Sequence, residues 1–268
     1  KSLKKEKIPT LILEYYLEEF RAMETNMARV LEKWVKYDPV YEQWLSKIRG
    51  IGGILAAGLV SYVRPEYCRT AGSVWRYAGI DVGPHDPLAT NSYSRHFKHV
   101  CWLTAQSLIR AKPKAPGQEN LYYDLYLLRK MYEVQKNERL EYAQQAADAL
   151  KRYNFGKNTV AYKAYSAGKL PPAHINSRAM RWMIKIFLSH LAHVTYEIHT
   201  GNPPPAPYII AIKGHKDYIA PPYFASKADW YQALKERGTV FELPAYDASK
   251  IPLEYANDEE FESEEALT

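Results

Sequence analysis

Cysteine is scarce in this chain. Cys68 and Cys101 are the two among 268 residues, and they show neither paired spacing nor a cluster of partners. That excludes a disulfide framework and fits a reduced, intracellular compartment. Long apolar runs are missing as well: none reaches the roughly 18 residues a spanning helix needs, so no membrane partner is expected. The opening "KSLKKEKIPT" is basic but leads into no apolar core and no small-residue cleavage site, unlike a secretory signal. No glycine-rich loop of the P-loop or dinucleotide form occurs, so no cofactor is expected. His96 and His99 share one helix pattern, and His190, His193 and His199 another. No Cys or acid completes a zinc set at the usual spacing, so they read as structural or surface histidines and no metal is expected.

The chain has plenty to fold with. Apolar residues make up 47% and charged residues 25%, ordinary for a globular protein of one large or two small domains. The formal net charge is +6, with an isoelectric point near 9.0, but its sign is uneven. The final "NDEEFESEEALT" holds Asp258, Glu259, Glu260, Glu262, Glu264 and Glu265; without these six the rest would stand at about +12. A basic body with an acidic tail points to a polyanionic partner and a tail that competes with it, or to a merely solvated end. The 23 tyrosines suit wet interfaces and stacking surfaces as well as cores.

The periodicity is helical. Residues 11–36, "LILEYYLEEFRAMETNMARVLEKWVK", place Leu13, Phe20, Met27 and Trp34 seven apart with Leu17 and Leu31 on the same side. Such a seam belongs to a helical hairpin or coiled coil, and Glu24 limits it to a short stretch against one partner helix. It makes a homodimer through residues 11–36 an expectation. Further helices are expected at about 40–48, 54–63, 92–111, 120–153, 174–199 and 225–237, with a short one around Trp75 and Tyr77. Carboxylates on the 120–153 helix alternate with Lys and Arg and read as surface ion pairs. "GNPPPAPYIIAIKGHKDYIAPPY" is too rich in proline for helix and reads as an extended arm, with room for two short strands. The fold class is therefore mainly α, a helical domain with long amphipathic helices and a Pro-rich extended C-terminal arm.

The stretch that points to chemistry is "IRGIGGILAAGL". A helix, an apolar-Gly-x-Gly turn and a second helix form a helix-hairpin-helix pattern, with Gly50 and Gly52 in the turn and Gly53 opening the helix. Such a turn offers free N–H groups and a positive helix end to one phosphate, and glycine lets the backbone approach it. The same residues also suit a plain tight turn between helices.

"IRGIGGILAAGLVSYV" followed by "TAGSVWRYAGI" resembles the C-terminal domain of insertion-sequence transposases of the one-ten, one-sixteen and nine-oh-two group. Members carry an Ile-Pro-Gly-Ile-Gly turn, an Ala-rich helix and a Tyr-Ala-Gly-Leu segment. Here Arg49 stands for the proline, and Tyr77, Ala78, Gly79 and Ile80 match the last segment. The resemblance covers about residues 10–112, and "HINSRAMRWMIKIFLSHL" is similar to a further branch of transposase-like proteins. It implies a prokaryotic or viral, cytoplasmic protein that handles DNA. It also implies a RuvC-like domain with four acidic ligands and a serine nucleophile in a Ser-Gly pair. No strand-rich acidic stretch precedes residue 11, and no Ser-Gly pair follows Ile80. Ser92 is the candidate nucleophile, with Ser94 close by and no glycine after either.

Basic helices complete the expected interface. His174, Arg178, Arg181 and Lys185 are spaced four, three and four apart, on one face opposite Met183, Phe187 and Leu191. Arg95, Lys98 and Arg110 lie on an earlier helix. These could follow a phosphate backbone or form ordinary solvated faces. The organisation expected is a transposase-like helix-hairpin-helix region with its coiled-coil-like helix (1–112), a helical extension with a basic helix (113–200), and a Pro-rich arm with an acidic tail (201–268). The leading expectation is a non-catalytic DNA-binding protein, with RNA as another polyanion it could take. The alternatives are part of a serine-dependent recombinase acting through Ser92, and an assembly protein that binds other proteins.

Overall fold

The computed structural model describes residues 11–81, 93–115, 118–207, 211, 218–238, 251–252 and 255. Among these the chain is mainly helical and forms no strand: α1 (Leu11–Val35), α2 (Pro39–Gln43), a 3-10 turn (Leu45–Lys47), α3 (Gly53–Tyr62), α4 (Ala71–Tyr77), α5 (Arg95–Arg110), α6 (Leu121–Glu138), α7 (Ala143–Arg152), α8 (Val160–Ser166), α9 (Pro172–Thr200) and α10 (Asp229–Glu236). Side chains set many of the starts. Asp38 accepts from the N–H groups of Val40 and Tyr41, just ahead of Pro39 at the first helical position. Thr70 and Ser73 form a reciprocal capping box on α4. Ser94, Asn120 and Thr159 cap α5, α6 and α8.

α9 is the central post. Its 29 residues pack against α2, α4, α5 and α6, and Met183, Ile184, Phe187, Leu188, Leu191 and Val194 are buried along it. Trp44 is fully buried and stacks on Phe187, with ring centroids 5.9 Å apart. A second, smaller core gathers Val134, Tyr142, Ala146, Ala161, Tyr165, Leu170 and Ile175 beneath α7 and α8.

The expected helix over 120–153 is two helices. α6 ends in a reversal in which Leu140 N–H bonds to Asn137 O and Glu141 N–H to Lys136 O, with Leu140 at φ 57°. That is a Schellman ending with leucine where glycine is usual, so no breaker marks it. The reversal folds Tyr142 back onto α6, where its hydroxyl donates to Glu133 at 2.5 Å. Glu133 also departs from the expected surface pairing, because its side chain is wholly buried. It accepts from Arg129 Nε at 2.8 Å and Arg178 Nε at 2.7 Å. Burial pushes its carboxyl up, but the Tyr142 and Arg178 hydrogen bonds and the charges of Arg178 and Arg129 outweigh this and hold it below the usual carboxylate range.

Other helices differ from expectation in length. The helix expected at 40–48 is α2 plus the 3-10 turn, the 92–111 helix begins at Arg95, and the last helix begins at Asp229. The arm after α9 shows no strand among its described residues; 208–210 and 212–217 lie outside them. Its fixed points are side chains holding backbone carbonyls: Trp44 Nε1 on Pro222 O and Trp230 Nε1 on Pro204 O, both at 2.8 Å.

Candidate nucleic-acid interface

The three glycines of the turn have three different surroundings. Gly50 sits at φ +95°, a conformation that favours glycine, and a Cβ there would lie 2.9 Å from Ser107 O and 3.0 Å from Ala111 Cβ. α5 therefore packs directly on it, and Ser107 Oγ donates to Gly50 O at 2.6 Å. Gly53 is buried, and a Cβ on it would lie 2.6 Å from Glu32 Cγ and 3.1 Å from Glu32 Cα, so α1 closes that side. Gly52 differs: it is exposed, and a Cβ on it would have nothing within 4 Å.

Gly52 is also the N-cap of α3, in extended conformation, and no side chain caps the helix. The first intrahelical bond is Ala56 N–H to Gly52 O at 3.0 Å, leaving the N–H groups of the first turn to outside acceptors. A ten-residue helix thus presents an open, uncapped positive end at the glycine of this turn that has room in front of it. α3 can lie so close to its neighbours because its residues are small: a Cβ on Gly58 would meet Val100 Cγ1 at 3.2 Å.

The cations gather around this end only in part. Arg49 is tied to the C-terminus of α5, with Nε donating to Ala111 O at 3.1 Å and a terminal nitrogen to Gln118 Oε1 at 2.9 Å. It satisfies a helix-end carbonyl and keeps its charge beside the turn. Arg110 is exposed in the last turn of α5, at the same end. Arg95 and Lys98 are exposed in the first turn of α5, so about 20 Å of helix separates them from the residues that touch Gly50. Lys98 lies over the Tyr93 ring at 5.4 Å. Glu32 lies against the turn from the α1 side.

The expected cationic row on α9 is not a continuous solvated face. Arg178 is half-buried on Glu133 and stacks over the Tyr142 ring at 4.6 Å. Lys185 pairs with Asp81 at 2.6 Å and lies over Trp75 at 5.2 Å. His174 Nδ1 contacts Tyr165 OH at 3.3 Å; burial and the nearby Arg178 and Arg181 charges push its pKa down to about 4. Arg181 alone of the four is exposed. Helical spacing put these groups on one face; Trp75 of α4, Tyr142 just before α7 and Tyr165 of α8 then reach onto that face. Ser92 lies outside the described residues, and Ser94 serves as the cap of α5, accepting from Phe97 N–H at 3.1 Å.

The histidines of α9 anchor the arm. His190 bridges Tyr122 OH (2.9 Å) and Ile219 O (2.7 Å). His193 contacts Tyr218 OH at 3.0 Å through Nδ1 and Ser226 Oγ at 2.8 Å through Nε2. Ser226 Oγ donates to Glu197 Oε2 at 2.7 Å, and Lys227 N–H to Glu197 Oε1 at 2.7 Å. Ser, His and Glu suggest a hydrolytic triad, but the acid sits on the same ring nitrogen as the serine, and Ser226 is buried. The cluster is a clasp. Sequence reading missed Glu197 because its partners come from the arm; the i, i+4 spacing from His193 was the available signal. No group of three or more His, Cys, Asp or Glu among the described residues could hold a metal ion. Both cysteines are buried, and burial pushes the Cys101 thiol up to about 12.

The chain matches no known family model, no curated protein and no solved structure. No helix among the described residues is long and apolar enough to cross a membrane.

The clasp has a pH signature. Burial pushes the pKa of His190 down to about 3, and it also lowers that of His193 against the opposing pull of Glu197. A base with a depressed folded pKa binds fewer protons folded than unfolded, so stability falls as pH drops below the unfolded value of about 6.5. Each such histidine contributes a slope of up to about 1.4 kcal/mol per pH unit. The melting temperature is expected to fall steadily from pH 6.5 towards pH 4, before the carboxylates protonate. His190→Gln should flatten that slope.

Proposed function

We propose that this protein binds DNA, taking a backbone phosphate at the N-terminus of α3, and that it does so without catalysing strand transfer itself. The observation that carries the reading is Gly52: exposed, uncapped and with nothing within 4 Å of where a side chain would begin. Arg49 and Arg110 add positive charge at that end, and the sequence outside the acidic tail is strongly basic. The resemblance of this turn and of Tyr77–Ile80 to transposase C-terminal domains supports the same partner. Contacts of this kind give affinity and salt dependence with no sequence readout.

Binding of labelled duplex, branched and single-stranded DNA at two salt concentrations tests this. Gly52→Glu fills the open space with a negative charge and is expected to leave the melting temperature unchanged. Loss of one phosphate contact of about 1.4 kcal/mol would weaken binding about tenfold. Binding that ignores salt, or a Gly52→Glu variant that binds as well as the parent, would sink the reading. An assembly role is favoured by a separate observation, the exposed apolar face of α1, from Leu13 at 49% to Val30 at 64% exposed.

A further inference from the structure

α1 carries more seam than its sevenfold repeat suggested. Taking Leu13, Phe20, Met27 and Trp34 as the a positions of a heptad, Tyr16, Met23 and Val30 fall on d, and every one of the seven is exposed. The opposite face is spoken for. Glu32, at an f position, lies on Gly53, and Val35, at b, is fully buried. α1 is thus fastened to α3 by the back of its C-terminal half, and its a/d edge points away from the protein. A helix of 25 residues, about 37 Å long, holds this apolar edge out with no partner among the described residues.

We propose that the partner is a second copy of this chain, pairing α1 with α1 in antiparallel orientation about a two-fold axis. The a/d periodicity specifies a helix as the occupant, because only another helix presents knobs at the same spacing. Charge specifies the direction. The first half of α1 carries Glu14, Glu18 and Glu19 against Arg21, and the second half balances Arg29 and Lys33 against Glu24 and Glu32. Antiparallel pairing lays the acidic first half of each helix along a charge-balanced stretch of the other, whereas parallel pairing lays it on the other acidic half. Parallel pairing would set Glu19 at g beside Glu24 at e of the partner, like on like. The register that opposes Leu13 to Val30, Tyr16 to Met27 and Phe20 to Met23 puts Leu13, Phe20 and Met27 each against a d residue, with Trp34 beyond the paired stretch. A two-fold interface of this kind is self-complementary and closes at two copies.

The pairing does not rest on DNA binding, since either property can be present without the other. The test is the mass of the full chain in solution at micromolar concentration. Twice 30.9 kDa is expected, falling to one chain mass for Phe20→Asp and for Met27→Asp. Both residues are more than half exposed, so the variants should keep the parent circular dichroism. Orientation is read by disulfide trapping, with Cys68 and Cys101 buried and out of the way. Leu13→Cys chains should not cross-link to one another, whereas a mixture of Leu13→Cys and Val30→Cys chains should. A monomeric parent, a dimer that survives both aspartates, or cross-linking of Leu13→Cys to itself would overturn the proposal.

Discussion

Replacing Glu133 by alanine is expected to destabilise the protein by about 3–5 kcal/mol, the usual cost of breaking a buried ion pair from one side. Glu133 is wholly buried and receives Arg129, Arg178 and Tyr142 at 2.5–2.8 Å. The alanine variant leaves the half-buried Arg178 without its carboxylate and the Tyr142 hydroxyl without its acceptor. For a domain of this size the melting temperature should drop by roughly 10 °C. The double variant Glu133→Ala, Arg178→Met removes the stranded charge as well and should recover part of the loss, because the two positions share one network. If the single variant melts like the parent, the network contributes little and the bend between α6 and α7 is held by packing alone.

That network also marks where sequence reading reached its limit. The amphipathic period of α1, the helix around Trp75 and Tyr77 and the mainly helical class were all legible, because each is written in local spacing. The bend at 139–142 was not, because Leu140 occupies a left-handed position that glycine usually announces. Periodicity on α9 correctly placed Met183, Phe187 and Leu191 in the core and set His174, Arg178, Arg181 and Lys185 together. It could not say that the second face would be met too, since that depends on Trp75, Tyr142 and Tyr165 arriving from elsewhere in the chain. The arm was opaque for another reason. Its anchors are the carbonyls of Pro204, Ile219 and Pro222, and a backbone acceptor leaves no trace in residue identity. At the candidate site, the glycine turn was legible as a turn, but the separate duties of Gly50, Gly52 and Gly53 depend on α5 and α1.

Those duties separate what a substitution costs at each glycine. Gly50→Val is expected to cost about 3–5 kcal/mol, combining a strained φ of about 1–3 kcal/mol with a clash and a disturbed hydrogen bond. At φ +95° a β-branched side chain is badly placed, and its Cβ would approach the backbone oxygen of Ser107 to 2.9 Å, an atom that cannot swing aside. Thermal unfolding reads the loss directly. Pairing Gly50→Ala with Ala111→Gly should rescue little, because the strained backbone and the Ser107 contact both remain. Gly52→Ala, two residues on, should leave the melting curve where it is. Were Gly50 there to let a phosphate approach, its replacement would spare the fold and weaken binding. The packing of α5 on Gly50 requires the reverse order of effects, so in this turn Gly50 holds the fold and Gly52 is the position free to meet a ligand.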